Sequence, residues 1–192
     1  MKRSACIVSR RCFVLASVAV LAGCATPVRV VEPDLAAFQR VGRFAITAES
    51  FGQAPEAVQG GFVWSQSGRE QRLDLADPLG NTLARVLIHP GHAVLTQANG
   101  ATQSASGPDA LLENVLGSPM PVSGLAQWLR GRVDAARAHA IERDAQGRPV
   151  VFLQDGWRVQ LSRYDALGPV LLRLNRNEAN RSISVRLVID PQ

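Results

Sequence analysis

The sequence predicts a mainly β domain, built from antiparallel meanders and interrupted once by two short amphipathic helices. Three observations predict it. From Gly42 onward, apolar residues recur with period two in short runs. Clusters of Gly, Pro, Asn and Ser separate these runs so closely that successive strands turn back on one another. Midway, the period changes to that of a helix and is bracketed by proline and glycine.

The first residues form a targeting segment that stands apart from the fold. Lys2, Arg3, Arg10 and Arg11 make a basic n-region, and Cys12 to Ala22 is an apolar stretch too short for a comfortable membrane span. Leu21-Ala22-Gly23-Cys24 follows. This tetrad resembles a bacterial lipobox, in which small residues admit the lipoprotein signal peptidase and the cysteine thiol takes diacylglycerol. The alternative is an ordinary secretory leader with an incidental cysteine. The expected organisation is a lipoprotein signal peptide over 1–23, a lipidated N-terminus and flexible tether over 24–37, and a single domain over 38–192. "ATPVRVVEPDL" supports the tether, with two prolines and no sustained period. Ala25 follows Cys24, where an aspartate tends to hold such lipoproteins at the inner membrane. The expected destination is therefore the outer membrane, anchored through Cys24 with the domain facing the periplasm.

Charge and cysteine usage narrow the function classes. The chain has a pI near 10, which by itself suggests nucleic acid or an anionic surface. Four of the 21 basic side chains and none of the 16 acidic ones precede Cys24, leaving 17 against 16 in the mature part. A nearly neutral domain with scattered arginines loses the main argument for nucleic acid. Cys6 and Cys12 leave with the leader and Cys24 is consumed by lipid, so no disulfide or thiolate metal site can form. The core alone must hold the domain, and its length suffices for that.

Taken in order, "GRFAIT", "GGFVWSQ", "QRLDLAD", "TLARVLI" and "HAVLTQ" read as strands, with Ser50 to Val58 a longer loop. Asn99-Gly100 predicts a hairpin with a type I′ turn, whose central residues both take positive φ. "SGPDALLENVLG" then places Leu111, Leu112, Val115 and Leu116 on one helical face and stops at Gly117. "PMPVSGLAQWLRG" gives a second helix with Ser123 as N-cap, Leu125, Trp128 and Leu129 on one side, and Gly131 as the stop. Strands resume in "RPVVFLQ", "WRVQLSRY", "VLLRLNR" and "SISVRLVID", with Asp155-Gly156 as another hairpin signal. A sheet of roughly ten strands with one apolar face needs a cover. Two helices over so broad a face leave room for an aliphatic cavity, and a solid core reads equally well from the same residues.

Catalytic chemistry is hard to place. His89 and His92 stand in "HPGH" and His139 precedes a strand; a metal pair at "HPGH" needs a third ligand, and Pro90-Gly91 reads more simply as a hairpin turn. No nucleophile elbow, P-loop, dinucleotide fingerprint or H-E-x-x-H occurs. The carboxylates are dispersed, and a two-carboxylate hydrolase would emerge only in three dimensions. The expectation is a protein that is not an enzyme, without metal or cofactor. One turn is unusual. In Asp77-Pro78-Leu79-Gly80, Asp suits position i, Pro i+1 and Gly i+3, so Leu79 falls at i+2, where it either projects outward or folds back onto the sheet.

The lipobox, the tether, "FVWSQ", "LADPLG", "PMPVSGLAQWLRG" and the later "WRVQL" together resemble the LolB family of outer-membrane lipoprotein receptors, from Phe38 to the C-terminus. The most specific piece is P-x-P-x3-L-x2-W-x2-G, carried by Pro119, Pro121, Leu125, Trp128 and Gly131. The resemblance implies an incomplete antiparallel β-barrel, a half-barrel whose helical lid covers an apolar cavity. That cavity would take the acyl chains of lipoproteins from the periplasmic carrier LolA, and the clients would then be inserted into outer-membrane phospholipid. Leu79 matches the family's protruding leucine and is the implied membrane contact. Trp64, Trp128 and Trp157 match its tryptophans and, with Leu111, Leu112, Val115, Leu116, Leu125 and Leu129, are the cavity and lid candidates; a core role is the simpler reading of each tryptophan. The chain departs from the family with Asp77 where asparagine is common and with several arginines on its later strands. A monomer is expected. The competing reading is a structural or assembly lipoprotein of an envelope complex with no lipid cavity.

Overall fold

A computed structural model describes residues 38–116 and 120–192. The strands are β1 (Phe38–Ser50), β2 (Glu56–Ser67), β3 (Glu70–Ala76), β4 (Thr82–His89), β5 (His92–Gln97) and β6 (Thr102–Ala105). The helices α1 (Pro108–Leu116) and α2 (Val122–Trp128) follow. The chain ends with β7 (Ala138–Arg143), β8 (Pro149–Gln154), β9 (Trp157–Tyr164), β10 (Pro169–Asn177) and β11 (Arg181–Ile189).

All eleven strands belong to one sheet in the order β6-β5-β4-β3-β2-β1-β11-β10-β9-β8-β7. Every neighbour pair is antiparallel. The first strand pairs with the last, so the order is a meander whose only break lies between β6 and β7. Both helices are in the segment that joins those two edges. The sheet is therefore an open half-barrel, and the connection that would complete it has become its cover.

The alternation that marked the strands is the alternation of burial. Phe44, Ile46 and Ala48 on β1, Phe62 and Trp64 on β2, Leu73 and Leu75 on β3, and Ile183, Val185 and Leu187 on β11 all face the interior. Two glycines tighten the curl at β1 and β2. Gly42 pairs with Phe62 and Phe44 pairs with Gly60. A Cβ at Gly42 would collide with the carbonyl oxygen of Val188, and one at Gly60 with that of Ala76. The rings of Phe62 and Phe44 cover these bare positions at 3.0 and 3.1 Å from where the Cβ atoms would stand, the arrangement by which a glycine bends a sheet without leaving a hole.

Curvature also follows from what the helices touch. The helix α1 packs on β4, β5 and β6, whereas α2 reaches β8, where the rings of Trp128 and Phe152 meet edge to face at 5.9 Å. In a flat sheet β5 and β8 would stand about 38 Å apart at ~4.8 Å per strand. Two touching helices of roughly 13 and 10 Å could not span that distance. The sheet must curl to bring its two ends under one lid.

Several local expectations need correction. The loop after β1 is short, because β2 begins at Glu56 and not after Val58. Asn99-Gly100 does not form a type I′ turn. Gly100 has φ 82°, Asn99 is not among the positive-φ residues, and Gly100 N–H bonds to Gln97 O while Gln97 N–H bonds to Ala101 O. This is a type I turn followed by a left-handed glycine, a three-residue connection. Asp155-Gly156 does have both residues at positive φ, 52° and 80°. His139 lies within β7, a bulged and largely exposed edge strand, and does not precede one. Ser123 is inside α2, whose N-cap is Pro121 and lacks a side-chain cap. Gly131 does stop the helix: at φ 68°, with Arg132 N–H on Gln127 O and Gly131 N–H on Trp128 O, it forms a Schellman motif. Gly117 and Pro119 lie outside the described residues.

Candidate functional site: a helical lid and an exposed turn

The two helices are joined by one carboxylate. Asp109, in the first turn of α1, accepts the N–H of Ser123 and the Ser123 hydroxyl, both at 2.8 Å. It thus supplies from another helix the cap that α2 lacks locally. The far end of α2 is fixed by Arg130, which donates to Gln66 on β2 at 3.0 Å and lies 3.6 Å over the ring of Phe38. On the third side Trp128 Nε1 donates to Gln154 Oε1 at 3.3 Å, and that buried amide leads through Asp155 to Arg137 at the surface.

The inner face of this lid is hydrocarbon. Leu111, Leu112, Leu116, Leu125, Trp128 and Leu129 are buried and join Trp64, Trp157 and the interior residues of the strands in one continuous apolar cluster. Val115 is half-buried. In this conformation the lid side chains fill the space under it, so the candidate cavity residues are packed together. The clefts lie around its margin. One of about 220 Å³ is lined by Asp109, Glu113, Met120, Pro121 and Trp157, one of about 320 Å³ by Leu83, Asn114 and Val115, and one of about 210 Å³ by Ile88, Pro108 and Ser123.

The turn after β3 is built around Asp77. Its carboxylate accepts the backbone N–H groups of Leu79 and Asn81 at 2.8 and 2.9 Å and the Asn81 side-chain amide at 2.9 Å. The carboxyl is held below its ordinary value, first by the Asn81 side chain and then by the backbone N–H groups of Asn81, Leu79 and Gly80. Asp in place of asparagine presents two acceptor oxygens to three donors. Pro78 occupies i+1, and Gly80, at φ 91°, closes the turn with its N–H on Asp77 O. The outcome is an outward Leu79 that is 88% exposed. At the base of the turn lies a mainly apolar cleft of about 370 Å³ lined by Arg43, Phe44, Gly60, Gly61 and Ala76.

The turn that carries Leu79 leaves β3 level with the middle of β1 and points away from Phe38. Ala76 pairs with Gly61 and Gly61 with Arg43, so β3 ends on the side toward which β1 runs. The loop after β1 emerges farther along in the same direction and carries Phe51, 94% exposed. Phe51 is an aromatic between Ser50 and Gly52 in a connecting loop, a local signal of exposure that carries no periodic pattern. Cys24 lies outside the described residues.

Several titratable groups form ion pairs. Asp74 meets Arg72 and Arg85, Asp155 meets Arg137, Asp144 meets Arg148, and Glu178 meets Arg176. His89 stands 3.8 Å from Glu70. Among the described residues no group of three or more His, Cys, Asp or Glu could hold a metal ion, and no helix is long and apolar enough to cross a membrane.

A curled, open antiparallel sheet with an apolar inner face, covered by a two-helix lid, defines a lidded half-barrel. The family model described as outer membrane lipoprotein LolB matches residues 36–191. The outer-membrane lipoprotein LolB of Bordetella petrii is 55% identical over 173 residues, covering 89% of this chain and 87% of the relative. That of Cupriavidus necator is 39% identical over 187 residues, covering 94% of each. A LolA superfamily protein of Nitrosomonas europaea is similar in structure with a TM-score of 0.42 and 9% identity, over 80% of this chain and 86% of that one. The chain belongs to the LolB family of outer-membrane lipoproteins.

Proposed function

We propose that this protein is the outer-membrane receptor that accepts lipoproteins from a LolA-type periplasmic carrier, shelters their acyl chains between sheet and lid, and inserts them into the membrane. The observation that carries this reading is the lid itself: in a chain of the LolB family, six large apolar side chains on two short helices close the inner face of an open sheet. Transfer of an acyl chain into water costs about 0.8 kcal/mol per CH₂, so a triacylated client faces tens of kcal/mol on crossing an aqueous compartment. It must be handed from one apolar shelter to another. When the lid shifts, its leucines and Trp128 leave a space of their own chemistry, and exchanging them for acyl chains conserves buried hydrocarbon. None of these steps needs a nucleophile, a metal or a cofactor.

Anchorage and release fall to different parts of the chain. Cys24 carries the lipid, and a chain of about 14 residues extends to at most roughly 46 Å at about 3.3 Å per residue. The domain can then turn its Leu79 end to the leaflet, because the path from Phe38 along the sheet to the level of Ala76 is only about 17 Å. Burial of one leucine stabilises membrane contact by roughly 1.5 to 3 kcal/mol, far less than the acyl anchor. Leu79 therefore acts at the phospholipid interface where client chains leave. Family membership does not favour the alternative of an assembly lipoprotein without a lipid cavity. The domain works as a monomer, because one copy contains sheet, lid and turn.

Transfer of a labelled lipoprotein from its LolA complex to the purified mature domain tests the proposal. Stoichiometric transfer is expected; retention on LolA at all ratios would overturn it.

A further inference from the structure

Among the described residues, Trp64 Nε1 and Arg40 Nε are buried N–H donors without an acceptor, and they belong to residues that face each other. Trp64 on β2 is the register partner of Arg40 on β1. Both side chains are 0% exposed, and neither Trp64 Nε1 nor Arg40 Nε has a hydrogen-bond partner. The remaining guanidinium nitrogens are engaged: Nη1 with both oxygens of Asp165 and Nη2 with the carbonyl of Pro169. Directly opposed residues of an antiparallel pair carry their Cβ atoms about 4.5 to 5.5 Å apart, so the two residues are neighbours on the inner face, although the Arg40 guanidinium reaches the other way, to Asp165 and Pro169. Buried donors are ordinarily satisfied, and an orphan calls for an explanation.

Their position suggests one. One step along the same face is the Phe38 and Gln66 pair, which Arg130 covers from the end of α2. The next strand presents Leu73 opposite Trp64. The donors therefore lie at the rim of the hydrocarbon interior, under the edge of the lid. An acyl group has one strong acceptor, the carbonyl at its head, and the rest of it is CH₂.

We propose that Trp64 Nε1 is the donor for an ester or amide carbonyl of the acyl group that the interior receives. This rests on the receptor reading above and adds to it a polar contact that orients the client, with its carbonyl head at the Phe38 end.

The test compares two synthetic lipids of equal chain length, one ester-linked and one ether-linked, each displacing an apolar fluorophore from the mature domain. Wild type should prefer the ester by roughly three- to tenfold, the size of one net hydrogen bond. Trp64→Phe should bring the ratio near one, whatever its smaller ring does to both affinities. Independently of any variant, the Trp64 indole N–H resonance of the wild-type domain should shift with the ester lipid and not with the ether. Equal affinities in wild type with a still resonance would overturn the proposal, leaving a buried water as the partner of Trp64 Nε1; so would an ester preference that survives in Trp64→Phe. If wild type bound neither lipid, the receptor reading itself would fall.

Discussion

Asp109 and Ser123 lock the two helices of the lid into one body: a single carboxylate accepts both the N–H and the hydroxyl of the serine. Because α2 has no side-chain cap of its own, the link between the helices is also the cap of the second. The lid is therefore expected to move as a unit.

Asp109→Ala removes both bonds at once. Loss of a capping carboxylate costs about 1 kcal/mol, so the urea midpoint should fall slightly while the fold persists. An apolar fluorophore should enter the domain faster, because α2 frays from α1. Unchanged entry kinetics in stopped-flow would show that Asp109 does not couple the lid.

Leu79→Glu changes a side chain that is 88% exposed. A surface position of this kind alters stability by about 0.5 kcal/mol or less, so thermal unfolding and acceptance from the carrier should match wild type. Insertion into phospholipid vesicles should decline. Full insertion by the variant would remove Leu79 from the membrane step.

The adjacent glycines Gly60 and Gly61 offer a contrast. An added methyl at Gly60 meets the Ala76 carbonyl and the Phe44 ring, whereas at Gly61 the nearest atom is 3.8 Å away. Gly60→Ala should lose roughly 1 to 3 kcal/mol, the usual cost of overpacking, and Gly61→Ala should remain close to wild type. Equal urea midpoints for the two variants would contradict the close approach described for β2 and β3.

Acid should weaken the domain through Asp165. Burial raises its pKa, but the Arg40 guanidinium and the N–H groups of Leu167, Gly168 and Gln192 outweigh burial and hold it below the ordinary 3.8. A carboxyl depressed in the folded state contributes stability above its unfolded value, and that contribution disappears as pH falls through the folded value. Urea midpoints should therefore decline below about pH 4. Asp165→Asn should be less stable at neutral pH by about 3 kcal/mol, since it strands a buried charge, and should lose part of the acid dependence. A variant as stable as wild type at pH 7 would show that the pair contributes nothing net.

Much of the fold was legible because its causes are local. Alternation identified the strands from Gly42 to Gln97 and from Arg148 to Asp190, since inward side chains are mostly buried and outward ones at least partly exposed. Proline and glycine bracketed the helices, and Asp77-Pro78-Leu79-Gly80 encoded an outward leucine through turn chemistry alone. The strand β7 escaped notice because "AHAIER" runs along a bulged edge and lacks a buried face to impose a period.

What remained depended on partners distant in the chain. The sequence specified which residues are apolar and which face of each strand they share; it did not specify that Arg40 finds Asp165 across 125 residues, that Ser123 serves as a ligand of Asp109 and not as a cap, or that Asn99 stays out of the left-handed region. Those outcomes follow from strand register and helix docking, which are set by the whole set of contacts together. The same is true of the lid: its leucines had to be apolar in either case, and only the curl of eleven strands decided that they would close over the interior.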